Sequence, residues 1–480
     1  MARPRSRYTC QACGWSAPRW EGQCRDCGAW NTLVETPIRA LGVPRRIPRP
    51  APGSDAPVPV PLADLAVQAT TRFGTGLDEL DRVLGGGAVV GSVMLLAGEP
   101  GVGKSTLVLA AAAGAAAVTQ APVLYASGEE SAAQLHLRAS RLGLADGPSG
   151  AAIRVLATTE TSAVVEAARR LQPALIVVDS IQTMTCEELE GGAGSIGQVR
   201  ESALRLAELA KTEGMAIVLV GHVTKDGTVA GPKTLEHLVD VVLALEGERA
   251  APVRLLRATK NRFGSTEEVG VFEMGAEGLR PLADPSRAFL SAAPDGAPGS
   301  VVAMILEGSR PMLVEVQALV GQGSYGAPRR AAAGLDLDRL VLVIAVLGRR
   351  AGVGVGSHDV YVNLAGGLRS SEPALDLPLA VALASSLRDR SVSPGTVVTG
   401  EVGLLGELRP IAGLERRLRE AARLGYRRAI VPAGGRAAAE GLEVAPVRTL
   451  REALDVALEP APGGHGAAPP EVGPPARGRS

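Results

Sequence analysis

A glycine-rich loop set between an apolar run and a helix-forming run constrains this chain more than any other feature. "VMLLAGEPGVGKSTLVLAAAAGAAA" turns through Gly98, Glu99, Pro100, Gly101, Val102, Gly103, Lys104, Ser105 and Thr106. The spacing is GxxxxGK[ST], in the strand–loop–helix setting the motif requires. Its glycines let backbone N–H groups wrap phosphates at a helix N-terminus. Lys104 then reaches the β- and γ-phosphates, and Ser105 ligates magnesium. ATP with Mg2+ is the expected ligand.

Beyond the loop, strand-like and helix-like segments alternate, which predicts a mostly parallel sheet covered on both faces. "PVLYASGEE" ends in Glu129 and Glu130, "ALIVVDS" in Asp179, and "AIVLVGHV" in His222. Polar residues at the carboxyl ends of buried strands are where an open α/β sheet places its ligand. Asp179 takes the Walker B position and completes the magnesium shell. Glu129 is expected to polarise the attacking water, with Glu130 as the alternative. His222 reads as a γ-phosphate sensor, against the alternative of a structural histidine.

Four of the five cysteines lie near the start: Cys10 and Cys13, then ten residues, then Cys24 and Cys27. Each CxxC forms a knuckle with two thiolates, and two knuckles complete a tetrahedral zinc site. Disulfides or an oxidoreductase motif are the alternatives, disfavoured by a cytosolic reading and by the lack of a surrounding βαβ pattern. Trp15, Trp20 and Trp30 share this segment; core packing is their expected role, with base stacking as the alternative. Cys186 reads as a small buried residue.

Formal net charge is zero, so binding to nucleic acid or membrane must come from local patches. The first fifty residues are one such patch, with nine arginines against Glu21, Asp26 and Glu35. No apolar stretch opens the chain, and the longest apolar run, from Leu107, is shorter than the roughly 20 residues that span a bilayer. The expectation is a cytoplasmic protein with no membrane contact. Only five of the fifty basic residues are lysine: 104, 211, 225, 233 and 260.

Four features in order — the four-cysteine ribbon, "GEPGVGKST", "VVDSIQT" and "KNRFG" — resemble the bacterial RadA (Sms) family of DNA repair and recombination ATPases. The resemblance implies a RecA-like fold, a ring of six subunits, single-stranded and branched DNA as substrate, and RecA recombinase as partner. It also implies that the loops after the Walker B strand and after the next strand face DNA. Those loops are glycine-rich and expected to be flexible; Arg200 lies near the end of the first, and Lys225 and Lys233 lie in the second. Lys260 and Arg262 of KNRFG, lacking an evident partner within one subunit, are expected to act on the γ-phosphate bound next door, as arginine fingers do. Phe263 and Gly264 are expected to anchor and turn that loop.

From about Val301 the pattern changes. "VVAMILEGSRPMLVEVQALV" alternates like a hairpin, and "DVYVNLAGGLRSSEPALDLPLAVALASS" and "TGEVGLLGELRPIAGLERRLREAARLG" resemble the proteolytic domain of Lon. Under that resemblance the nucleophile position falls on Ala374 and the base position on Arg417. Alanine offers no nucleophile and a guanidinium cannot serve as base, so the expectation is a scaffold rather than a protease. The helix around Arg417 reads as basic and amphipathic, with a solvated charged face and an apolar stripe, against the alternative of a DNA-binding surface.

The fold class expected is α/β: a RecA-like P-loop core, a small N-terminal zinc ribbon and a C-terminal α+β Lon-protease-like (ribosomal protein S5-like) domain. The divisions expected are a ribbon over 1–35, a proline-rich linker over 36–63, an ATPase domain over 64–285, the Lon-like domain over 286–458 and a disordered tail over 459–480. The function expected is a DNA-dependent ATPase motor of recombination and repair. A KaiC-like ATPase ring without DNA is the alternative, needing neither ribbon nor KNRFG.

Overall fold

The computed structural model describes residues 6–10, 15–30, 32–37, 71–222, 235–248, 251–290, 296–323, 327–434 and 438–458. The chain divides into two compact units, one ending at Leu282 and one beginning at Ala283. Most of the expected linker and all of the expected tail lie outside the described residues.

At the N-terminus, β1 (Ser6–Cys10) pairs antiparallel with β2 (Ser16–Ala17) on one side and β3 (Leu33–Pro37) on the other. The third strand runs two residues further than the expected end of the ribbon, because Thr36 and Pro37 pair with Arg7 and Ser6. Backbone pairing of this kind leaves no side-chain period to read.

The first unit is built on a nine-stranded sheet. In chain order after a short pair, β4 (Arg72–Phe73) with β5 (Ala88–Val89), its strands are β6 (Val93–Gly98), β7 (Val123–Ser127), β8 (Ile153–Ala157), β9 (Leu175–Asp179), β10 (Ala216–His222), β11 (Val241–Glu246), β12 (Val253–Asn261), β13 (Val269–Gly275) and β14 (Gly278–Pro281). The spatial order is β14-β13-β12-β11-β6-β10-β9-β7-β8. The six strands from β11 to β8 are parallel to their neighbours, and β12, β13 and β14 extend the sheet antiparallel.

Alternation along β6 explains the layering. Met94 and Leu96 join a core with the helices Asp78–Leu84 and Lys104–Thr119, while Val93 and Leu95 join a second core with Thr161–Leu171 and Ile196–Glu213. A strand buried on both faces must be apolar at every position, and every residue of β6 is buried. The helix Lys104–Thr119 lies close on the sheet and on the segment before Asp78. A Cβ on its Gly114 would stand 2.1 Å from the Thr75 carbonyl oxygen, so only glycine allows that approach.

The second unit holds a seven-stranded mixed sheet. The expected hairpin is present as β15 (Ser300–Glu307) and β16 (Arg310–Gly321), with Glu307 opposite Arg310. Helices Asp376–Arg388 and Leu414–Arg423 pack on it. Arg417 departs from expectation. It faces the interior with Leu418 and Ala421 rather than the solvated side of its helix.

No helix among the described residues is long and apolar enough to cross a membrane.

Candidate nucleotide site and zinc ribbon

Register brings the polar strand ends together. His222 stands beside Gly98, Val220 beside Asp179, and Asp179 beside Ser127, so β6, β10, β9 and β7 finish along one edge of the sheet. The loop from Gly98 leaves that edge and enters the helix at Lys104. Gly103 has φ 116°, and a Cβ there would meet the Met274 side chain at 2.7 Å. The turn therefore needs glycine for conformation and for room.

Lys104 is buried and donates to the carbonyls of Gly98 (2.8 Å) and Glu99 (3.0 Å). Desolvation lowers its pKa, partly opposed by the charges of Asp179 and Glu129. Asp179 is buried with one oxygen held by the Tyr125 hydroxyl at 2.8 Å; its Oδ1 has no hydrogen-bond partner. Burial first, and then the Asp179 carboxylate, push the Tyr125 hydroxyl well above its ordinary pKa, so it remains a donor. A buried carboxylate oxygen left open beside a phosphate-wrapping loop fits a hard divalent cation, which takes oxygen ligands.

The two adjacent glutamates are separated by their partners. Glu130 forms an ion pair with Arg138 at 2.6 Å. Glu129 turns the other way, taking hydrogen bonds from Ser180 Oγ (2.5 Å) and His222 Nε2 (3.0 Å). The His222 bond, with Ser180, outweighs partial burial and holds Glu129 down to about 2. It is an ionised acceptor across the working pH range. His222 Nδ1 has no partner.

Sequence reasoning missed three contributors here. Tyr125 and Ser180 lie in or beside apolar runs, where a lone hydroxyl carries no signal. Arg254, in β12, is buried and donates from Nε to the Val102 carbonyl of the phosphate loop at 3.0 Å, and from its other arm to Val253 at 2.9 Å. Burial lowers its pKa. A buried arginine in a strand reading "VRLLRA" would have signalled a bond to a distant backbone, but not to which one.

KNRFG lies at the far edge of the same sheet. Lys260 pairs with Val242, which pairs with Leu95, three residues back along β6 from Gly98. That is roughly 10 Å of strand. The expectation that its cations lack a partner within the subunit is corrected. Lys260 Nζ donates to the carbonyls of Glu236 (2.6 Å) and Val239 (2.8 Å), and Arg262 pairs with Asp240 at 3.0 Å. These partners come from the turn before β11, an aperiodic stretch whose position under β12 only pairing reveals. Phe263 packs on the core, and its carbonyl accepts from Arg72 at 2.6 Å.

Of the loops expected to face DNA, the first is not free. Gln198 is buried and donates to the carbonyls of Cys186, Leu189 and Gly191 while accepting from Cys186 N, lacing the loop closed. Glycine content suggests flexibility; one side chain, twelve residues after Cys186, overrides it. Arg200 follows, exposed near the start of the helix Ile196–Glu213. Lys225 and Lys233 lie outside the described residues. Cys186 is buried, as expected.

In the ribbon, the sulfurs of Cys10, Cys24 and Cys27 all lie within 4.8 Å of one another. Cys10 and Cys27 sulfurs are 3.7 Å apart, too far for a disulfide. Three converging thiol groups fit a tetrahedral zinc site; Cys13, the expected fourth ligand, lies outside the described residues. Trp15 packs with Cys10, Cys24 and Leu33, but Trp20 and Trp30 are 55% and 69% exposed, which corrects the expectation of core packing for these two.

In the second unit, Ala374 is buried and Arg417 fully so. Arg417 pairs with Glu372 and donates to the carbonyls of Met304 (2.8 Å) and Ala412 (3.1 Å).

What the strand-end edge can do chemically is wrap a nucleoside triphosphate, hold its metal and orient a water beside its last phosphate, which places the chain among P-loop ATPases. A family model described as an AAA domain matches residues 61–228, one described as a rubredoxin metal binding domain matches 8–35, and one described as subunit ChlI of Mg-chelatase matches 342–435. DNA repair protein RadA of Pseudomonas aeruginosa is 47% identical, the match covering 96% of this chain and 100% of that protein. RadA of Bacillus subtilis is 44% identical over 95% of this chain and 100% of its own length, and RadA of Escherichia coli 45% over 94% and 98%. The chain belongs to the RadA family of DNA repair proteins. Among solved structures, a KaiC-like protein from Pyrococcus horikoshii matches 44% of this chain and 99% of its own, at 19% identity and a TM-score of 0.38.

Proposed function

We propose that this protein is a DNA-dependent ATPase of recombination and repair, a ring of subunits that moves along single-stranded DNA and processes branched intermediates together with RecA recombinase. The observation that carries the reading is the match to RadA proteins along almost the whole of both chains. In this reading residues 98–106 wrap the phosphates and Lys104 swings from the Gly98 and Glu99 carbonyls to the β- and γ-phosphates. Ser105 and the open Oδ1 of Asp179 would hold magnesium, which would supply positive charge beside the transferring phosphoryl group. Glu129 orients the attacking water, and His222, bonded to it, senses the γ-phosphate.

Lys260 and Arg262 sit too far along the sheet to serve their own P-loop. We assign them to the phosphate of a neighbouring subunit in a hexameric ring, with the Asp240 pair exchanged when the neighbour binds nucleotide. Arg200, Lys225 and Lys233 contact DNA phosphates, which makes binding sequence-tolerant and salt-dependent. A protease reading finds no support at Ala374 and Arg417, since the arginine is buried in an ion pair.

ATP hydrolysis with and without single-stranded DNA tests the proposal. Stimulation is expected, and Lys260→Ala or Arg262→Ala should lose the stimulated rate while ATP binding persists. A rate indifferent to DNA, with no DNA binding at low salt, would sink it. Loss of ATP binding in the Lys260 variant as complete as in Lys104→Ala would remove the neighbouring-subunit role.

A further inference from the structure

All three tryptophans of the chain lie in the ribbon, and the fold divides them. Trp15 belongs to the small core beside the cysteines. Trp20 and Trp30 stand out in solvent, both beside Gly22. A Cβ added to Gly22 would lie 3.7 Å from the Trp30 ring and 3.8 Å from the Trp20 ring. The two rings therefore converge over one bare stretch of backbone and make a single aromatic face.

That face is built on stiff ground. Gln23 pairs with Trp30 in an isolated bridge, Cys24 N donates to the Ala29 carbonyl at 2.9 Å, and the Gln23 amide donates to the Gly28 carbonyl at 2.8 Å. Leaving two large rings in water forgoes their burial, and such exposed patches mark contact sites. Charge identifies the contact. The first fifty residues carry six more positive charges than negative, and the other 430 carry six more negative than positive. Arg19, next to Trp20, is exposed, whereas Arg25 is tied to Glu21 at 2.7 Å. Rigid aromatic planes beside arginines suit a flexible polyanion with free base faces. A duplex hides those faces.

We propose that Trp20 and Trp30 form a stacking platform for unpaired bases of single-stranded DNA, with Arg19 on its phosphates. The site rests on the DNA reading above but lies outside the ATPase core.

Because every tryptophan is in the ribbon, the tryptophan emission of the full-length, zinc-loaded protein, excited selectively over its five tyrosines, reports on this segment alone. Titration with an unlabelled oligothymidylate should quench it at the concentrations where a labelled copy gains anisotropy. Trp20→Ala with Trp30→Ala should abolish most of the quench and weaken binding by roughly tenfold or more, with zinc content per chain unchanged. Trp20→Phe with Trp30→Phe, which keeps both ring faces, should bind within a few-fold of the parent. Oligonucleotide binding without any change in emission, quenching that persists in the double alanine variant, or equal quenching by duplex would each overturn the platform. Absence of binding by anisotropy would refute the DNA reading and this site together.

Discussion

At the strand ends of the first unit, Asp179 has one carboxylate oxygen, and His222 one ring nitrogen, with no hydrogen-bond partner. In the second unit, Arg417 and Glu372 commit their groups to each other and to the backbone: Arg417 to Met304 and Ala412, Glu372 to the Leu306 amide at 2.8 Å. Both centres hold buried polar atoms. An open buried polar atom costs about 1–3 kcal/mol, so it persists where a ligand fills it. A satisfied buried pair has nothing left to offer a substrate. Of the five unpartnered buried side-chain atoms among the described residues, four lie at or beside the strand-end cluster: Arg138, Asp179, Gln182 and His222. The contrast separates a centre built for chemistry from one that serves as structure.

The largest effect expected from breaking this contrast is at Glu129. Glu129→Gln should lower ATP turnover by roughly a hundredfold or more while nucleotide binding, followed with a fluorescent analogue, survives. Unchanged turnover would move the water-orienting role to another group.

In the second unit the same kind of change should act on stability instead. Arg417→Met leaves the partly buried Glu372 without its cation and should cost at most about 3–5 kcal/mol, read as a lower unfolding midpoint. Adding Glu372→Gln should recover part of the loss. An Arg417 variant as stable as the parent would show that the pair is not what holds this helix.

Arg254 sharpens the comparison, since it is a buried guanidinium in the first unit that bonds the phosphate loop. Arg254→Met removes a charged hydrogen bond, a loss of about 1.5–3 kcal/mol. It should appear as a raised KM for ATP with kcat changed less. A fall in kcat at constant KM would contradict a role in holding the loop.

The smallest effect is on pH dependence. Glu129 has a folded pKa of about 2 against an ordinary 4.5. A lowered carboxylate pKa adds stability above the unfolded value, and that stability is lost as pH falls through the folded one. The difference in unfolding midpoint between parent and Glu129→Gln should therefore be constant above pH 4.5 and shrink toward pH 2. A difference that grew on acidification would reverse the sign assigned to the pair. Glu129 is partly exposed, so solvent screening keeps the effect small.

Much of the first unit was legible in the chain because its signals are local. A buried parallel strand must be apolar throughout, a phosphate loop must have glycines at set intervals, and a zinc knuckle needs two cysteines two apart. The positions of Gly98 to Thr106, Asp179 and the Cys10, Cys24 and Cys27 cluster follow from such rules. Local signals fail where a contact joins distant segments. Lys260 and Arg262 were read as unpartnered, yet the turn before β11 supplies their carbonyls and carboxylate. The first glycine-rich loop was read as flexible, yet Gln198 laces it. Trp20 and Trp30 were assigned to a core that is too small to hold them.

The sequence by itself determined which chemistry this protein carries, because phosphate wrapping and thiolate ligation demand particular residue types at short fixed spacings. Tertiary structure decided which polar groups remain open. Glu129 and Glu130 are neighbours of one type in the chain, and only folding sends one to His222 and the other to Arg138. Arg254 and Arg417 look like other arginines until burial and a backbone carbonyl more than a hundred residues away fix what each can do.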